Sequence, residues 1–236
     1  MIWPDDFIDK IICGDCLEVM KGIPDKAVDL VLTDPPYKFE SMGGGFYAKN
    51  ASAKREYLDS LRKINCVNFN PSFMLEILKK KLKLFYGYFF TNKFLIEPYL
   101  SFARKNGYKY DILVMAKSNP IPAHNNHYLS DLEYVIMIRE AKTYFSNHKN
   151  LDDFRKFYLT NCKKREHPAQ KDIGIIQKFI RVSSREGDLI LDPFLGSGTT
   201  AVACIELNRR FIGIELSPEY CEMAKKRISK IQPQLW

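Results

Sequence analysis

The polar stretch Asp34-Pro35-Pro36-Tyr37 follows a short apolar run, residues 28–32, and combines an acid, two prolines and an aromatic ring. Each proline fixes its own φ and restrains the residue before it, so the Asp34 carboxylate and the Pro35 carbonyl are held in a nearly constant relation. Two fixed acceptors aimed at one point suit a planar amine with two N–H donors, and Tyr37 supplies a ring to stack on its plane. An acidic turn without chemistry explains these four residues equally well when they are considered alone.

A second candidate site is the glycine-rich segment 192–201, Asp-Pro-Phe-Leu-Gly-Ser-Gly-Thr-Thr-Ala, which lies between a predicted strand and a predicted helix. Gly196, Gly198 and Ala201 fit a G-x-G-x-x-G/A spacing, in which glycines let the backbone approach a ligand and the helix N-terminus offers N–H groups. Glu215 ends the next predicted strand, where such folds bind ribose hydroxyls. The combination indicates an adenosine-containing cofactor and leaves both NAD and S-adenosylmethionine open. The alternative is a glycine turn used only for packing.

The segment Cys13-Gly14-Asp15-Cys16 has two interpretations. A redox or metal site is the first, but the six cysteines and four histidines of the chain show no second pair at zinc-binding spacing, so we expect no metal. In the second, which we favour, Asp15 lies at the carboxyl end of a strand and accepts a hydrogen bond from a ligand amine. Ligands of open parallel sheets bind at those strand ends.

The elements that position these segments alternate between strands and helices. Short apolar runs predict strands over 11–13, 28–32, 84–90, 110–116, 134–138, 189–191 and 211–214. Amphipathic periodicity and capping residues predict helices over 17–21, 73–81, 94–105, 172–183, 199–208 and 218–231. The segment 140–167 is polar and is predicted to be irregular. This alternation predicts one α/β domain over 1–236 with a largely parallel sheet.

Composition and charge restrict the class of protein. The chain of 236 residues is 46% hydrophobic and has no apolar stretch long enough to cross a bilayer. Its N-terminus lacks the features of a secretory signal, so we expect a cytoplasmic protein without membrane contact. The net charge of +8 suits a polyanionic partner. Many of the cations lie in the segments 49–63 and 139–165, interleaved with aromatic residues.

Three motifs together, DPPY at 34–37, HPAQK at 167–171 and DPFLGSGTT at 192–200, resemble the amino-group DNA methyltransferases that use S-adenosylmethionine. The catalytic motif precedes a variable region and the glycine turn comes last, an order that resembles the circularly permuted β class. The resemblance implies a Rossmann-like methyltransferase sheet of seven strands, mostly parallel, with one antiparallel strand. The chain departs from the family pattern at Ala169, where Thr is frequent, and at Asp172, where Pro is frequent. The loss of the threonine hydroxyl puts one contact to the cofactor carboxylate in question.

The resemblance also implies roles for individual residues. Asp34, Pro35, Pro36 and Tyr37 would hold a flipped base, with Asp34 also near the methionine amino group of the cofactor. Hydrogen bonds from the target amine to Asp34 and Pro35 would free a lone pair that is otherwise delocalised into the ring. The remaining cofactor contacts would come from Asp15 and Cys16 at the adenine, Glu215 at the ribose, Gln170 and Lys171 at the methionine carboxylate, and Asp192, Phe194, Gly196, Ser197, Gly198 and Thr199 along the methionine.

The target base is predicted by the same resemblance. In this family DPPY is more frequent with adenine N6 and SPPY with cytosine N4, so Asp34 favours adenine and leaves cytosine N4 as the alternative. The chain has no Pro-Cys dipeptide, which argues against attack of a cysteine on cytosine C5. Because a base inside a duplex is inaccessible, base flipping in double-stranded DNA is expected.

Four other functions are alternatives to DNA methylation. A nicotinamide-dependent oxidoreductase would use the same glycine turn but leaves DPPY and HPAQK unexplained. A catalytically silent DNA-binding subunit would not need the intact Asp34, Tyr37 and glycine turn. Methylation of RNA or of a protein amide is closer in chemistry, and protein-amide enzymes usually carry Asn in place of Asp34.

Two segments are predicted to contact DNA: 38–70, as a mobile loop and helix beside the active site, and 118–166, as a target-recognition segment. Arginine and asparagine read base edges, whereas lysine mostly neutralises phosphates. Since both segments are short, we expect a short recognition site or help from a second protein, either another copy of the chain or an accompanying restriction or specificity protein. For each candidate a solvated surface role is at least as good an interpretation. The candidates are Lys49, Lys54, Arg55, Asn125, Asn126, Arg139, Arg155, Lys163, Lys164 and Arg165.

Overall fold

A single sheet organises the part of the chain that the computed structural model describes, which is residues 1–36, 69–118, 128–129, 131–147, 149–160 and 171–231. Its short strands are rich in β-branched and aromatic residues, as the sequence predicts. The strands are β1 (Lys10–Cys13), β2 (Leu30–Thr33), β3 (Tyr86–Thr91), β4 (Lys109–Lys117), β5 (Leu132–Arg139), β6 (Phe157–Thr160), β7 (Leu189–Asp192) and β8 (Arg210–Glu215).

The strand order is β1-β8-β7-β2-β3-β5-β4-β6. β5 is antiparallel to both of its neighbours, and every other pairing is parallel. The expected mostly parallel sheet with one antiparallel strand is therefore confirmed. The expected number of seven strands was wrong for these residues, because eight are present.

The additional strand, β6, lies within the segment 140–167 that was predicted to be irregular. It pairs with β4 at the edge of the sheet. Its buried residues, Tyr158 and Thr160, alternate with the exposed Phe157 and Leu159. An edge strand of four residues buries only one face, so its alternation was too short to stand out between charged neighbours.

Six α-helices accompany these strands in the described ranges, and most of them begin at a residue that caps them. The side chains of Asp15, Asn70, Asp172 and Ser217 accept hydrogen bonds from the first turns of α1, α2, α4 and α6. α5 instead follows Gly198, which makes no side-chain cap, and this leaves the N-terminus open toward a ligand. Within the described ranges no helix has the length and apolarity to cross a bilayer. The helices are α1 (Cys16–Lys21), α2 (Pro71–Lys81), α3 (Ile96–Lys105), α4 (Ile173–Ser183), α5 (Thr199–Glu206) and α6 (Pro218–Ser229), with a 3₁₀ helix at Leu151–Phe154.

Helices cover both faces of the central strands. Alternate residues of β2 enter two hydrophobic clusters, with Leu30 and Leu32 on one face and Val31 on the other. The first cluster includes Phe179 of α4, and the second includes Tyr99 of α3. Burial on both faces explains why β2, β3 and β7 are continuous apolar runs. It also leaves the strand ends as the place where polar side chains can meet a ligand.

The 3₁₀ helix is attached to α4 by an ion pair between Asp153 and Arg181. The Asp153 side chain is 1% exposed, and Arg181 Nε and Nη2 donate to its two oxygens at 2.8 and 3.1 Å. We predict that Arg181→Met lowers the free energy of unfolding by about 3 kcal/mol, because it removes the cation facing an almost inaccessible carboxylate.

Arg155→Met is the matched control, measured by urea denaturation in parallel. Arg155 pairs with Asp152 of the same 3₁₀ helix at 2.8 Å, but these side chains are 71% and 65% exposed. The control should change the free energy of unfolding by less than about 1 kcal/mol. Equal losses in the two variants would contradict the prediction.

Candidate active site

A cavity of about 720 Å³ lies at the carboxyl ends of the central parallel strands. Because these ends meet at one edge of the sheet, three segments that are far apart in sequence come together there. Gly14, Asp15 and Cys16 line the cavity beyond β1, and Asp34 and Pro36 line it beyond β2. The lining beyond β7 comes from Asp192, Pro193, Phe194, Leu195, Gly196, Ser197, Thr199 and Thr200.

The glycine turn needs its glycines for two reasons. Gly196 and Gly198 have φ values of +56° and +86°, in the left-handed region that favours glycine. A Cβ on Gly198 would also lie 2.8 Å from the Cβ and 3.2 Å from the Cα of Ala224 in α6. The close packing of α6 therefore sets the position from which α5 begins.

Arg227 of α6 contacts the same turn, and no sequence pattern singles this residue out. Its Nη1 donates to the Ser197 carbonyl at 2.6 Å, to Ser197 Oγ at 3.0 Å and to Thr199 Oγ1 at 3.2 Å. For an arginine in a helix more than twenty residues after the motif, the sequence pattern predicts an ordinary surface position. Only the packing of α6 on the turn shows this role.

Glu215 and Asp15 are held in position by backbone N–H groups. Glu215 accepts from the Gly196 and Ser217 amides through different oxygens, each at 2.8 Å. Asp15 Oδ1 accepts from the Leu17 amide at 2.7 Å as the cap of α1. Both carboxylates line the cavity, so two oriented anions stand on its wall before any ligand enters.

Cys16 also lines the cavity, and its environment bears on the redox interpretation of the cysteine pair. Burial, with a further contribution from the Asp15 carboxylate, raises the pKa of the Cys16 thiol to about 12. A redox-active cysteine needs a lowered thiol pKa. Cys13 is exposed and both thiols are free, which favours the interpretation of this segment as a ligand-binding strand end.

Asp192 connects the glycine turn to the DPPY segment. Thr33 Oγ1 donates to Asp192 Oδ1 at 2.7 Å, and the Phe194 amide donates to the same oxygen at 3.1 Å. Burial raises the pKa of the Asp192 carboxyl to about 7, although hydrogen bonds from Thr200 and Thr33 act in the opposite direction. Asp192 therefore joins β7 to β2 directly below the cavity.

Lys171 lies between two carboxylates at the other side of the cavity. Its Nζ is 3.0 Å from Asp34 Oδ2 and 3.3 Å from Glu133 Oε2, and it lies 5.0 Å from the centre of the Phe90 ring. Burial alone would lower the pKa of the Lys171 ammonium, but Asp34 and Glu133 raise it. Lys171 is therefore a largely enclosed cation, 13% exposed, in direct contact with the carboxylate of the DPPY segment.

Glu133 is a site residue that the sequence did not indicate. It lies in β5, and its Oε1 is 2.8 Å from Lys117 Nζ of the neighbouring strand β4. Burial raises the pKa of its carboxyl, but Lys171 and Lys117 outweigh burial and bring it down to about 2. A single glutamate near the start of a strand carries no pattern, so only the pairing of β5 with its neighbours places it here.

Several predicted site residues lie elsewhere or outside the described ranges. Arg139 is at the opposite end of β5 from Glu133 and lies over the Phe145 ring at 4.8 Å, while Arg155 pairs with Asp152. Both stay predictions as DNA contacts. The residues outside the described ranges are Tyr37, Lys49, Lys54, Arg55, Asn125, Asn126, Lys163, Lys164, Arg165 and Gln170.

Comparison with known proteins defines the class. A DNA methylase family model for N6 and N4 methyltransferases matches residues 28–226, so the chain belongs to this family of S-adenosylmethionine-dependent DNA methyltransferases. The type II methyltransferase M2.MboI of Moraxella bovis is 30% identical over 98% of this chain and 91% of its own. The type II methyltransferase M.HpaI of Haemophilus parainfluenzae is 27% identical over 93% of this chain and 74% of its own.

Solved structures agree with this assignment. The M1.HpyAVI–SAM complex is 28% identical and superposes with a TM-score of 0.68 over 92% of this chain and 98% of its own. The cytosine-N4-specific PvuII DNA methyltransferase is 16% identical, with a TM-score of 0.65 over 96% of this chain and 92% of its own, which shows a shared fold alone. The expected family and the expected cofactor are confirmed.

The residues around the cavity fit S-adenosylmethionine. The methionine end of this cofactor carries an ammonium and a carboxylate, and Asp34 and Lys171 place opposite charges side by side on the wall. The oriented Glu215 carboxylate suits ribose hydroxyls, and Asp15 suits an adenine amine. A cavity of about 720 Å³ has the size of known cofactor sites.

Gly198→Ala tests the glycine turn, with Gly187→Ala as the matched control. Both glycines have similar φ, +86° and +82°, but a Cβ at Gly187 would meet nothing within 4 Å. Each variant should lose about 1 kcal/mol of stability from the left-handed backbone. Gly198→Ala should lose roughly 1–3 kcal/mol more through its clash with Ala224. Urea denaturation measures the difference, and equal losses would show that the contact with α6 is unimportant.

The raised pKa of Asp192 predicts a dependence of stability on pH. Between the ordinary value of 3.8 and about 7, the folded protein holds this proton and the unfolded chain loses it. The free energy of unfolding should therefore fall as the pH rises through this window and level off above it. Relative to Asp192→Asn, the loss should be on the order of 4 kcal/mol. Chemical denaturation of both proteins from pH 4 to pH 8 checks this, and parallel curves would refute it.

Proposed function

We propose that this DNA methyltransferase acts on the exocyclic N6 of adenine, which it flips out of double-stranded DNA into the cavity. The supporting observation is the Asp34 carboxylate on the cavity wall, directly after the end of β2 and directly before the two prolines that stiffen the segment. Family members with Ser in place of Asp34 more often methylate cytosine N4, as the resemblance implies. The target base in DNA is inaccessible inside the stack, so flipping is required.

The chemistry proposed for Asp34 starts from the poor nucleophilicity of an exocyclic amine, whose lone pair is delocalised into the ring. Asp34 accepts one N–H and the Pro35 carbonyl accepts the other, which favours a tetrahedral nitrogen and frees the lone pair. S-adenosylmethionine supplies an electrophilic methyl group when it is bound. As the nitrogen becomes positively charged, the fixed Asp34 carboxylate stabilises it without reorganising.

The ion pair with Lys171 is compatible with this role of Asp34. An ionised carboxylate offers about four lone-pair sites, so it accepts hydrogen bonds from a lysine and from an amine together. Lys171 contacts Asp34 through Oδ2 at 3.0 Å, and the Asp34 side chain is 25% exposed. Lys171 therefore pairs with Asp34 while the carboxylate stays accessible from the cavity.

The proposed DNA-contacting segments stay 38–70 and 118–166. The last residues of the first segment, Phe69 and Asn70, line the cavity, and Phe69 meets Phe194 edge-on with ring centroids 5.5 Å apart. This contact supports a position of the segment beside the active site. The type II names of the relatives support a role in restriction–modification. The shortness of the two segments is the reason for proposing that a second copy or an accompanying protein contributes to recognition.

Asp34→Ala should lower methyl transfer by at least about a thousand-fold, because it removes the acceptor aimed at the target amine. DNA affinity should stay within about three-fold, since phosphate contacts dominate it. Transfer of radiolabelled methyl groups and DNA binding by fluorescence anisotropy measure the two effects. Asp25→Ala is the control: its carboxylate is 62% exposed and pairs with Lys81 away from the cavity lining. Normal turnover by Asp34→Ala would refute the role of Asp34.

The choice of base is tested by sequencing modified bases in DNA from a host that expresses the protein. N6-methyladenine at a defined short sequence is the expected result. Detection of N4-methylcytosine alone would overturn the choice of adenine. It would still agree with the proposed activation of an exocyclic amine by Asp34 and Pro35. Absence of any methylated base, with folded protein present, would contradict the proposed activity.

A further inference from the structure

Glu133 belongs to a chain of four side chains of alternating charge that leads away from the cavity. The order is Asp34, Lys171, Glu133 and Lys117, with successive nitrogen–oxygen distances of 3.0, 3.3 and 2.8 Å. With two carboxylates and two ammonium groups, these four side chains together have a net charge of zero. Their side chains are between 13% and 28% exposed, so solvent screens them only weakly.

Among these four side chains, Lys171 has neighbours on three sides. Its ammonium group has three N–H donors, and Asp34, Glu133 and the Phe90 ring lie around it. The two anions share the cation, with Glu133 drawing it toward β5 and away from the cavity. Without the charge of Glu133, Lys171 would interact more strongly with Asp34. A carboxylate more fully neutralised by lysine is a weaker acceptor for an incoming amine.

We propose that Glu133 is a positioning residue for methyl transfer, which acts by sharing the ammonium of Lys171 with Asp34. Glu133 draws Lys171 toward β5, and this keeps the Asp34 carboxylate available to the target amine. The inference rests on the proposed role of Asp34 as the acceptor of that amine. It assigns a function in the reaction to a residue of β5, which contributes no part of the recognised motifs.

A purely structural role is the alternative that an experiment must separate. Glu133 also pairs with Lys117 and so links β5 to β4. If this link were its only function, loss of Glu133 would lower stability whether or not Lys171 is present. If Glu133 acts through Lys171, its effect on the reaction rate must disappear once Lys171 is removed.

The experiment measures single-turnover methyl transfer to DNA at saturating S-adenosylmethionine and DNA for Glu133→Gln. The rate should fall about ten-fold, the size of coupling expected for side chains in one charge network. DNA affinity should change less than two-fold, because no phosphate contact is lost. Glu140→Gln is the control. Glu140 follows the other end of β5, where its carboxylate accepts from the Phe85 amide at 3.2 Å, and its loss should leave the rate unchanged.

The deciding measurement is the same substitution in a Lys171→Met background. Glu133→Gln should cause no further loss of rate there, whereas a further ten-fold loss would overturn the proposal. A normal rate for Glu133→Gln in the otherwise unchanged protein would also overturn it. Failure of the wild-type protein to methylate DNA would instead contradict the proposed function.

If Glu133→Gln does not fold, which thermal melting will show, Glu133→Asp replaces it. The shorter side chain keeps the charge but draws it back from Lys171 by one methylene group. Its rate should lie between those of the wild type and the ten-fold reduced value. In the Lys171→Met background, Glu133→Asp should no longer reduce the rate of methyl transfer. An equal reduction of the rate in both backgrounds would refute the proposal.

Discussion

The parallel pairing of β2 with β7 is the constraint on which the site depends. It places Leu30 beside Ile190, so that the two strand ends emerge at the same edge of the sheet. The hydrogen bond from Thr33 to Asp192 then joins residues 159 positions apart in the chain at 2.7 Å. The DPPY segment and the glycine turn are adjacent for this reason, and a cavity between them follows from the burial of both strands on both faces.

Electrostatics determine which ligands this edge can accept. Asp15 and Glu215 are anions oriented by backbone amides, whereas Asp34 is an anion balanced by Lys171. Glu215 is the buried member of this set, and its two hydrogen bonds from backbone amides offset the cost of burying its charge. The result is one wall that suits hydroxyl and amine donors and another that presents both signs of charge. S-adenosylmethionine, with a ribose, an adenine and a zwitterionic end, has this distribution.

Much of the fold could be predicted because the central strands are short, mostly apolar runs and most of the described helices begin at capping residues. The structure places most elements within a few residues of their predicted bounds, for example β3 at Tyr86–Thr91 instead of 84–90. The strand β6 was missed because four residues at an edge bury one face only. Glu133 and Arg227 were missed because each acts through partners from other elements, and a single charged residue has no periodicity.

The sequence by itself indicated the class of chemistry through the joint resemblance of DPPY, HPAQK and the glycine turn to one family. Proline and glycine also restrict the backbones of DPPY and of the glycine turn. Those restrictions are local, so they can be read without knowledge of the neighbours. Only the tertiary structure decided that Lys171 contacts Asp34 and that Glu133 contacts Lys171 in turn. Ion pairs between distant elements depend on strand order and register, which are set by the packing of the whole sheet.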